Sequence, residues 1–382
     1  LNVSGMLEVI LWSSILLVFW TYFGYFLLMK AVSYFYAKDV KRENIQPNVS
    51  LIITAYNEER RIAEKIENSL ASSYPADKLE IIIVSDASND NTDNIVRSYS
   101  EKGVKLLVMP ERHGKHYGQG RGIKAAKSDI VVLTDATTFL DADSIQKIVR
   151  NFADPTVGCV SGVDSITSDD ANASGEGLYV KYEMALRDLE SMVGSLIGVS
   201  GCFFAVRKRL CVDWIDNMSA DFYMPNIAYE NGFRSILDKE AIGRYTVLHN
   251  PEKEFQRKVR TVVHGLEVLF RFKRLMSIFR FGTYSIQLIS HKLLRWLVPF
   301  LLLEILVVNA LLYNGTTAYF VLFILQVLFY ILALTTHMIP SLRNYTLLKI
   351  PYFFTMVNYA ILIAWYKYIT YQEYVVWDST KR

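Results

Sequence analysis

Three acidic side chains stand where chemistry can be done. Glu58 and Asp86 follow the apolar runs Val49–Ile53 and Ile81–Val84, and Asp135 closes the run that begins at Ile130. The first runs end in Thr54-Ala-Tyr-Asn-Glu-Glu59 and Ser85-Asp-Ala-Ser88, and the third reads Asp129-Ile-Val-Val-Leu-Thr-Asp-Ala-Thr-Thr138. Polar and acidic groups just past the carboxyl ends of buried strands are where open α/β sheets bind ligands. Taken singly, each has a plainer reading: an Asp-rich turn, a helix cap at Asp90, or first-turn acids at Asp141 and Asp143. Their recurrence at successive strand ends favours a ligand site.

The elements that must position these groups alternate. Val49–Ile53, Ile81–Val84, Val104–Val108 and Ile130–Leu133 read as strands, the first two as β-branched runs buried on both faces. Between them Glu58–Leu70 reads as a helix with Ile62, Ile66 and Leu70 at spacing four, Asp90–Tyr99 as a second, and Gly122–Ala126 as the start of a short third. This order predicts an α/β domain with a doubly wound, mostly parallel sheet. Further on, Tyr179–Glu190 reads as a helix carrying Tyr182, Glu183, Arg187 and Glu190 on neighbouring turns.

Outside this block lie four long apolar segments. Val9–Met29, Thr317–His337 and Ile350–Tyr366 contain no charged residue, and Leu293–Tyr313 contains only Arg295 and Glu304. Each approaches the ~20 residues that cross ~30 Å of hydrocarbon. Val9–Met29 is too long for a signal-peptide core and lacks a small-residue cleavage site, so it is read as retained. The chain of 382 residues, 52% hydrophobic, is thus divided into a transmembrane helix and linker (1–44), an α/β domain (45–255), amphipathic interface helices (256–291), three transmembrane helices (292–370) and a tail (371–382). It does not open with Met, and a preceding segment is allowed for.

The net charge of +3 hides a local bias: between Arg257 and Arg295 nine Lys or Arg face one acid, Glu267. With Lys30, Lys38, Lys41 and Arg42 after the first span, positive-inside bias places residues 30–292 in the cytoplasm and the amino terminus outside. The basic run abuts a span and alternates with Leu, Phe, Met and Ile, so anionic lipid headgroups, not nucleic acid, are its expected partner. Cys159, Cys202 and Cys211 are odd in number and lack metal-ligand spacing; buried reduced thiols in a cytosolic domain are expected. Glu304, Asn309, Gln326 and Asn358 lie inside spans and are expected to face protein or water, along a polymer path or in helix-to-helix hydrogen bonds.

These motifs resemble the family 2 glycosyltransferases, in particular the membrane-embedded synthases related to cellulose, chitin and hyaluronan synthases and to bacterial polysaccharide synthases. The resemblance implies a GT-A-like cytoplasmic domain joined to a helical transmembrane bundle. It implies a nucleotide-sugar site in which Thr54, Ala55, Tyr56 and Glu58 hold base and ribose, Asp86 reads the base edge, and the Gly114-Lys115 step approaches the diphosphate. Asp135 takes the place of the Asp-X-Asp motif that holds Mg2+ or Mn2+, with Thr137 where the second carboxylate would stand. Gly198–Arg207 resembles the acceptor-side loop, giving Ser200, Gly201 and Cys202 as acceptor residues, and Asp221 stands in the place of the catalytic base. The plainer reading of Asp221 is a helix cap before Phe222. Arg257 and Arg260 correspond to the basic element that neutralises the leaving diphosphate.

Four departures from the family pattern stand out. Gly120 replaces an Asn five residues after Lys115, Ala220 replaces an acid before Asp221, Thr137 replaces the second metal acid, and the Gln-X-X-Arg-Trp element becomes Arg257-X-X-Arg260-Thr261. His249 is read as an extra metal ligand or, more simply, as structural. Ser290–Trp296 resembles a synthase junction with its span. Trp377-X-X-Thr380-X-Arg382 resembles a terminal sequence that closes near the diphosphate, which requires a cytoplasmic tail. Four full spans with the amino terminus outside put that tail outside, so a re-entrant segment or an earlier span is the alternative.

The resulting expectation is an inverting, metal-dependent membrane glycosyltransferase. It would use a nucleotide sugar, expected to be a UDP-sugar, at the cytoplasmic face of the cell (inner) membrane to extend an exopolysaccharide or capsule-type polymer. The alternatives are single-sugar transfer to a lipid-linked acceptor and, from another class, a catalytically silent nucleotide-binding membrane protein.

Overall fold

The computed structural model describes residues 2–166, 175–245, 251–313 and 316–371. The chain divides into two compact units, one built on a sheet (Tyr36–Ser168 with Arg187–Leu248) and one of helices (Leu1–Phe35, Asp169–Leu186 and His249–Gln372).

The sheet unit holds strands β1 (Val49–Ala55), β2 (Leu79–Ser85), β3 (Val104–Val108), β4 (Ile130–Asp135), β5 (Phe139–Leu140), β6 (Val157–Ile166), β7 (Phe203–Arg207) and β8 (Arg234–Tyr245). They form one sheet in the order β3-β2-β1-β4-β7-β6-β8-β5. The first four pair in parallel, as the alternation of strand and helix predicts. β7 then enters antiparallel between β4 and β6, while β6 and β8 pair in parallel. The sheet is therefore mixed, and the antiparallel insert carries the loop 198–202 to the end of β4. Leu51, Ile53, Ile81, Ile83, Ile130 and Val132 are buried in one cluster with Ile62, Ile66 and Val96 from the covering helices.

Two helices differ from expectation. The one predicted from Glu58 begins at Ile62, after a turn in which the Glu58 carbonyl accepts from Arg61 and Ile62 N–H and the Glu58 and Glu59 N–H groups donate to Thr92 and Asp90. The one predicted from Gly122 begins at Lys115 and runs to Ala125. Its glycines depress helix propensity but are required by packing: a Cβ on Gly122 would lie 2.5 Å from Cγ2 of Ile52 in β1. The helix lies that close to the sheet.

In the helical unit, four helices among the described residues are long and apolar enough to cross a membrane: Val3–Tyr36, Thr283–Leu312, Thr317–Met338 and Leu347–Ile369. Two of them contain a π-helical turn, at Trp20–Gly24 and Ile289–Leu293, joined by a hydrogen bond from Trp20 Nε1 to Ser290 Oγ at 3.1 Å. Beside these turns the Glu183 carboxylate accepts from His291 Nε2 at 2.8 Å and from Arg295 at 2.7 Å. The polar span residues join helices: Ser14 donates to Glu304 at 2.9 Å, and Gln326 Nε2 to the Leu302 carbonyl at 3.1 Å. Asn358 instead donates to Phe354 within its own helix.

Candidate active site

At the carboxyl ends of β1 and β2 the chain turns over through left-handed residues, Asn57 (φ 53°) and Ala87 (φ 56°). The two loops are stitched together. Asn57 N–H donates to Ser88 Oγ at 3.1 Å and its side-chain oxygen accepts from Asn89 N–H at 2.9 Å. Glu59 N–H donates to Asp90, and Glu59 Oε2 accepts from Asn91 N–H. Ala55 is buried, its carbonyl accepting from Asp86 N–H at 2.9 Å. The Thr54 methyl packs toward the helix Lys115–Ala125, 3.2 Å from where a Cβ on Gly118 would lie.

Asp86 is buried, and both its oxygens are engaged: Oδ1 accepts from His113 N–H at 2.9 Å and Oδ2 from Gly114 N–H at 2.7 Å. The carboxylate thereby fixes the loop that enters the helix at Gly114, whose φ of 91° glycine adopts without steric cost. The face of the Tyr56 ring is covered by the Arg112 guanidinium, 3.7 Å from the ring centroid.

Charge gathers at the end of β4. Lys115 Nζ lies 2.5 Å from Asp135 Oδ1 and donates to the Gly201 carbonyl at 2.8 Å. Burial opposes the charge on Lys115, but Asp135, Cys202 and Asp221 together outweigh it and raise the pKa. Gly201 is in turn against Asp221: a Cβ there would lie 3.6 Å from Asp221 Oδ2. Asp221 stands in the first turn of the helix Ala220–Glu230 and accepts from Ser219 Oγ at 2.7 Å through Oδ1. Lys115, Asp135, Gly201 and Asp221 therefore form one cluster, although 106 positions separate the first from the last.

Ser200 and Cys202, adjacent to this cluster, have different duties. The Ser200 hydroxyl donates to Asp164 and accepts from the N–H groups of Cys202 (3.1 Å) and Phe203 (3.0 Å), so it holds the turn. The Cys202 carbonyl accepts from Asp135 N–H at 3.3 Å, while burial pushes its thiol up. Asp164, not singled out by the sequence, is itself raised by burial, against the hydrogen bond from Ser200.

A second lysine was hidden. Lys65 is fully buried, donating to the Thr138 carbonyl and, at 3.3 Å, to Thr134 Oγ1, so it braces the turn that follows Asp135. Burial pulls its pKa down to about 7, opposed by the nearby Asp135 and Cys202. The one signal in the sequence is a lysine adjoining Ile66 and three residues after Ile62 on an apolar helical face. The Gly120 departure is also explained. A Cβ there would meet Trp214 Cδ1 at 2.6 Å and Asp216 Oδ1 at 2.9 Å, and the Trp214 indole N–H donates to the His116 carbonyl at 2.9 Å. An indole occupies the space into which the family's Asn would project.

No group of three His, Cys, Asp or Glu able to hold a metal occurs among the described residues. Asp135 Oδ1 is nevertheless buried without a well-aligned hydrogen bond beside the Lys115 ammonium. One carboxylate suits Mg2+ or Mn2+, which take one or two protein carboxylates and complete their shell with substrate phosphates and water. Arg257 and Arg260 lie on the helix Pro251–Arg271 of the helical unit, where Arg257 forms a bidentate pair with Glu254 at 2.8–2.9 Å. Against its burial, Arg257 and Lys258 hold Glu254 far below the usual carboxylate range. His249 and Trp377–Arg382 lie outside the described residues.

Known proteins share parts of this sequence and fold. Residues 50–214 match the model of the family described as glycosyl transferase family 2. A poly-beta-1,6-N-acetyl-D-glucosamine synthase of Staphylococcus aureus is 27% identical over 275 residues, covering 69% of this chain and 66% of that protein. The chain thus spans a little under two thirds of the curated relative's length. The synthase of the same name from Staphylococcus epidermidis is 26% identical over 200 residues, 49% of this chain and 48% of its own. Among solved structures, a mannosyltransferase of Pyrobaculum calidifontis in complex with GDP-Man and Mn2+ superposes with a TM-score of 0.75 at 22% identity, covering 96% of this chain and all of that one. The sheet has the GT-A fold, and residues 50–214 match the model of glycosyl transferase family 2.

Proposed function

We propose that the protein is an inverting, metal-dependent membrane glycosyltransferase that takes a nucleotide sugar, a UDP-sugar by preference, and extends a polysaccharide. The observation that carries this reading is the Lys115–Asp135–Gly201–Asp221 cluster, which sets a cation and two carboxylates together at the strand ends. Tyr56 stacks the base, while Thr54, Ala55, Glu58 and Asp86 shape its surroundings. An ammonium has three donors. In Lys115 one goes to Gly201 and the charge faces Asp135, and a further donor serves a diphosphate oxygen.

Asp221 is the general base. Its Oδ1 is held by Ser219, and Oδ2 takes the proton from the acceptor hydroxyl over Gly201. The acceptor oxygen then bonds to the anomeric carbon, and the bond to the diphosphate breaks from the opposite side. The electron pair leaves on the phosphate oxygen, whose charge Lys115 neutralises. A divalent ion held by Asp135 supplies further charge neutralisation to the diphosphate when bound. Ser200 and Cys202 shape the acceptor loop through their backbone.

The polymer reading leans on the staphylococcal relatives' names. Positive-inside bias puts the sheet unit at the cytoplasmic face of the membrane, with the helices of the other unit as its spans and the basic segment after Arg257 against anionic lipid. The test is nucleotide release by the detergent-solubilised chain from UDP-, GDP- and dTDP-sugars, with Mg2+, Mn2+ or EDTA. Asp221→Asn is expected to lower release about 100- to 10,000-fold while nucleotide binding persists. Release unaffected by Asp221→Asn would refute the assignment of the base. Binding without release from any donor, with oligosaccharide and lipid acceptors supplied, would leave a silent nucleotide-binding protein.

A further inference from the structure

The Arg112 guanidinium and the Tyr56 ring lie 3.7 Å apart. A flat cation at that spacing fills the layer that a nucleobase would occupy on the same ring. The backbone beneath each partner is fixed. The two residues after Arg112 give their N–H groups to Asp86, and the residue after Tyr56 is tied by Ser88 and Asn89. A base can therefore reach that face only if the Arg112 side chain swings away, without the loop opening.

We propose that Arg112 is a placeholder on Tyr56 that the donor's nucleobase displaces, so that this arginine sets the affinity of the nucleotide site. The proposal rests on the reading of Tyr56 as the base-stacking residue. A covered face lowers apparent affinity by the fraction of molecules in which it is open, and removing the cover restores that fraction. The displaced guanidinium remains three residues before Lys115, beside the cluster proposed to receive the diphosphate. Its charge is then returned to a phosphate but is of no use to a nucleoside. Nucleoside and nucleoside diphosphate must respond differently to its loss.

The experiment measures binding of uridine, guanosine, UDP and GDP to the full chain in detergent, as wild type, Arg112→Ala, Arg112→Lys and Tyr56→Ala. For the base that wild type accepts, Arg112→Ala is expected to tighten the nucleoside about two- to fivefold, the range a cation–π contact corresponds to. It should tighten the diphosphate less, or weaken it. Arg112→Lys, which keeps the charge and loses the plane, should tighten the nucleoside and preserve the diphosphate. Nucleoside binding unchanged in Arg112→Ala overturns the proposal, and weakened binding replaces it with a clamp in which arginine and tyrosine sandwich the base. Tyr56→Ala separates the two levels. If it weakens nucleoside binding while Arg112→Ala changes nothing, only the placeholder fails; if it has no effect, or if no nucleotide binds, the base site itself is refuted.

Discussion

In the sheet unit a lysine bridges a carboxylate and a carbonyl; in the helical unit a carboxylate bridges a histidine and an arginine. Lys115 with Asp135 and Gly201, and Glu183 with His291 and Arg295, use the same chemistry at similar distances. Their surroundings differ. Glu183 spends one oxygen on His291 and one on Arg295, joining the helix Gly175–Val193 to the π-helical turn Ile289–Leu293 and the helix after it. Asp135 ends a strand, with a glycine-containing loop on one side and Asp221 beyond it. A buried ion pair is thus not a mark of a reactive site by itself. Position at a strand end beside a glycine is what singles out the sheet cluster as the candidate site.

That contrast can be broken at either cluster. Breaking a buried pair by removing one partner costs about 3–5 kcal/mol, so Glu183→Ala is expected to lower the thermal stability of the detergent-solubilised chain by that order. Unfolding followed by tryptophan fluorescence measures this, and an unchanged melting curve would show the helical cluster to be dispensable. Gly120→Asn, which restores the family's residue, would force a side chain into Trp214. Overpacking costs about 1–3 kcal/mol, and the indole emission should shift; a folded variant with unchanged stability and emission would contradict the packing described.

The smallest effect concerns Lys65. Its pKa falls from 10.5 to about 7 in the fold, so between those values the unfolded chain binds more protons than the native one. Stability should therefore rise with pH from about 7 to 10.5, the cost of the buried charge being fully present below 7. Lys65→Met should flatten that slope. Equal slopes in the two proteins would show that the lysine is not desolvated.

Part of the candidate site was legible because Asp86 and Asp135 follow runs whose period places them at strand ends. Asp221, in the first turn of a helix, was picked out by resemblance alone. The parallel half of the sheet followed from the same alternation. What escaped depended on distant pairings. Lys65 reads as a solvated helix position until the Asp135–Thr138 turn is laid over it. The onset of the helix at Lys115 was obscured by glycines that local propensity penalises and a close approach to Ile52 demands. The antiparallel entry of β7 is a long-range choice that no period encodes. Trp214 belongs to the same class: 94 positions separate it from Gly120, and only the fold makes them neighbours.

The stitched loops after β1 and β2 carry a kinetic consequence. Asn57, Glu58 and Glu59 on one side and Ser88 to Thr92 on the other are already joined by hydrogen bonds. If this is the proposed nucleotide site, capture of a ligand there needs no loop to fold over it, only the Arg112 side chain to rotate, a motion faster than loop closure. Encounter and orientation, not loop closure, then set the association rate. Discrimination among ligands at this end of the molecule is left to how long each one stays.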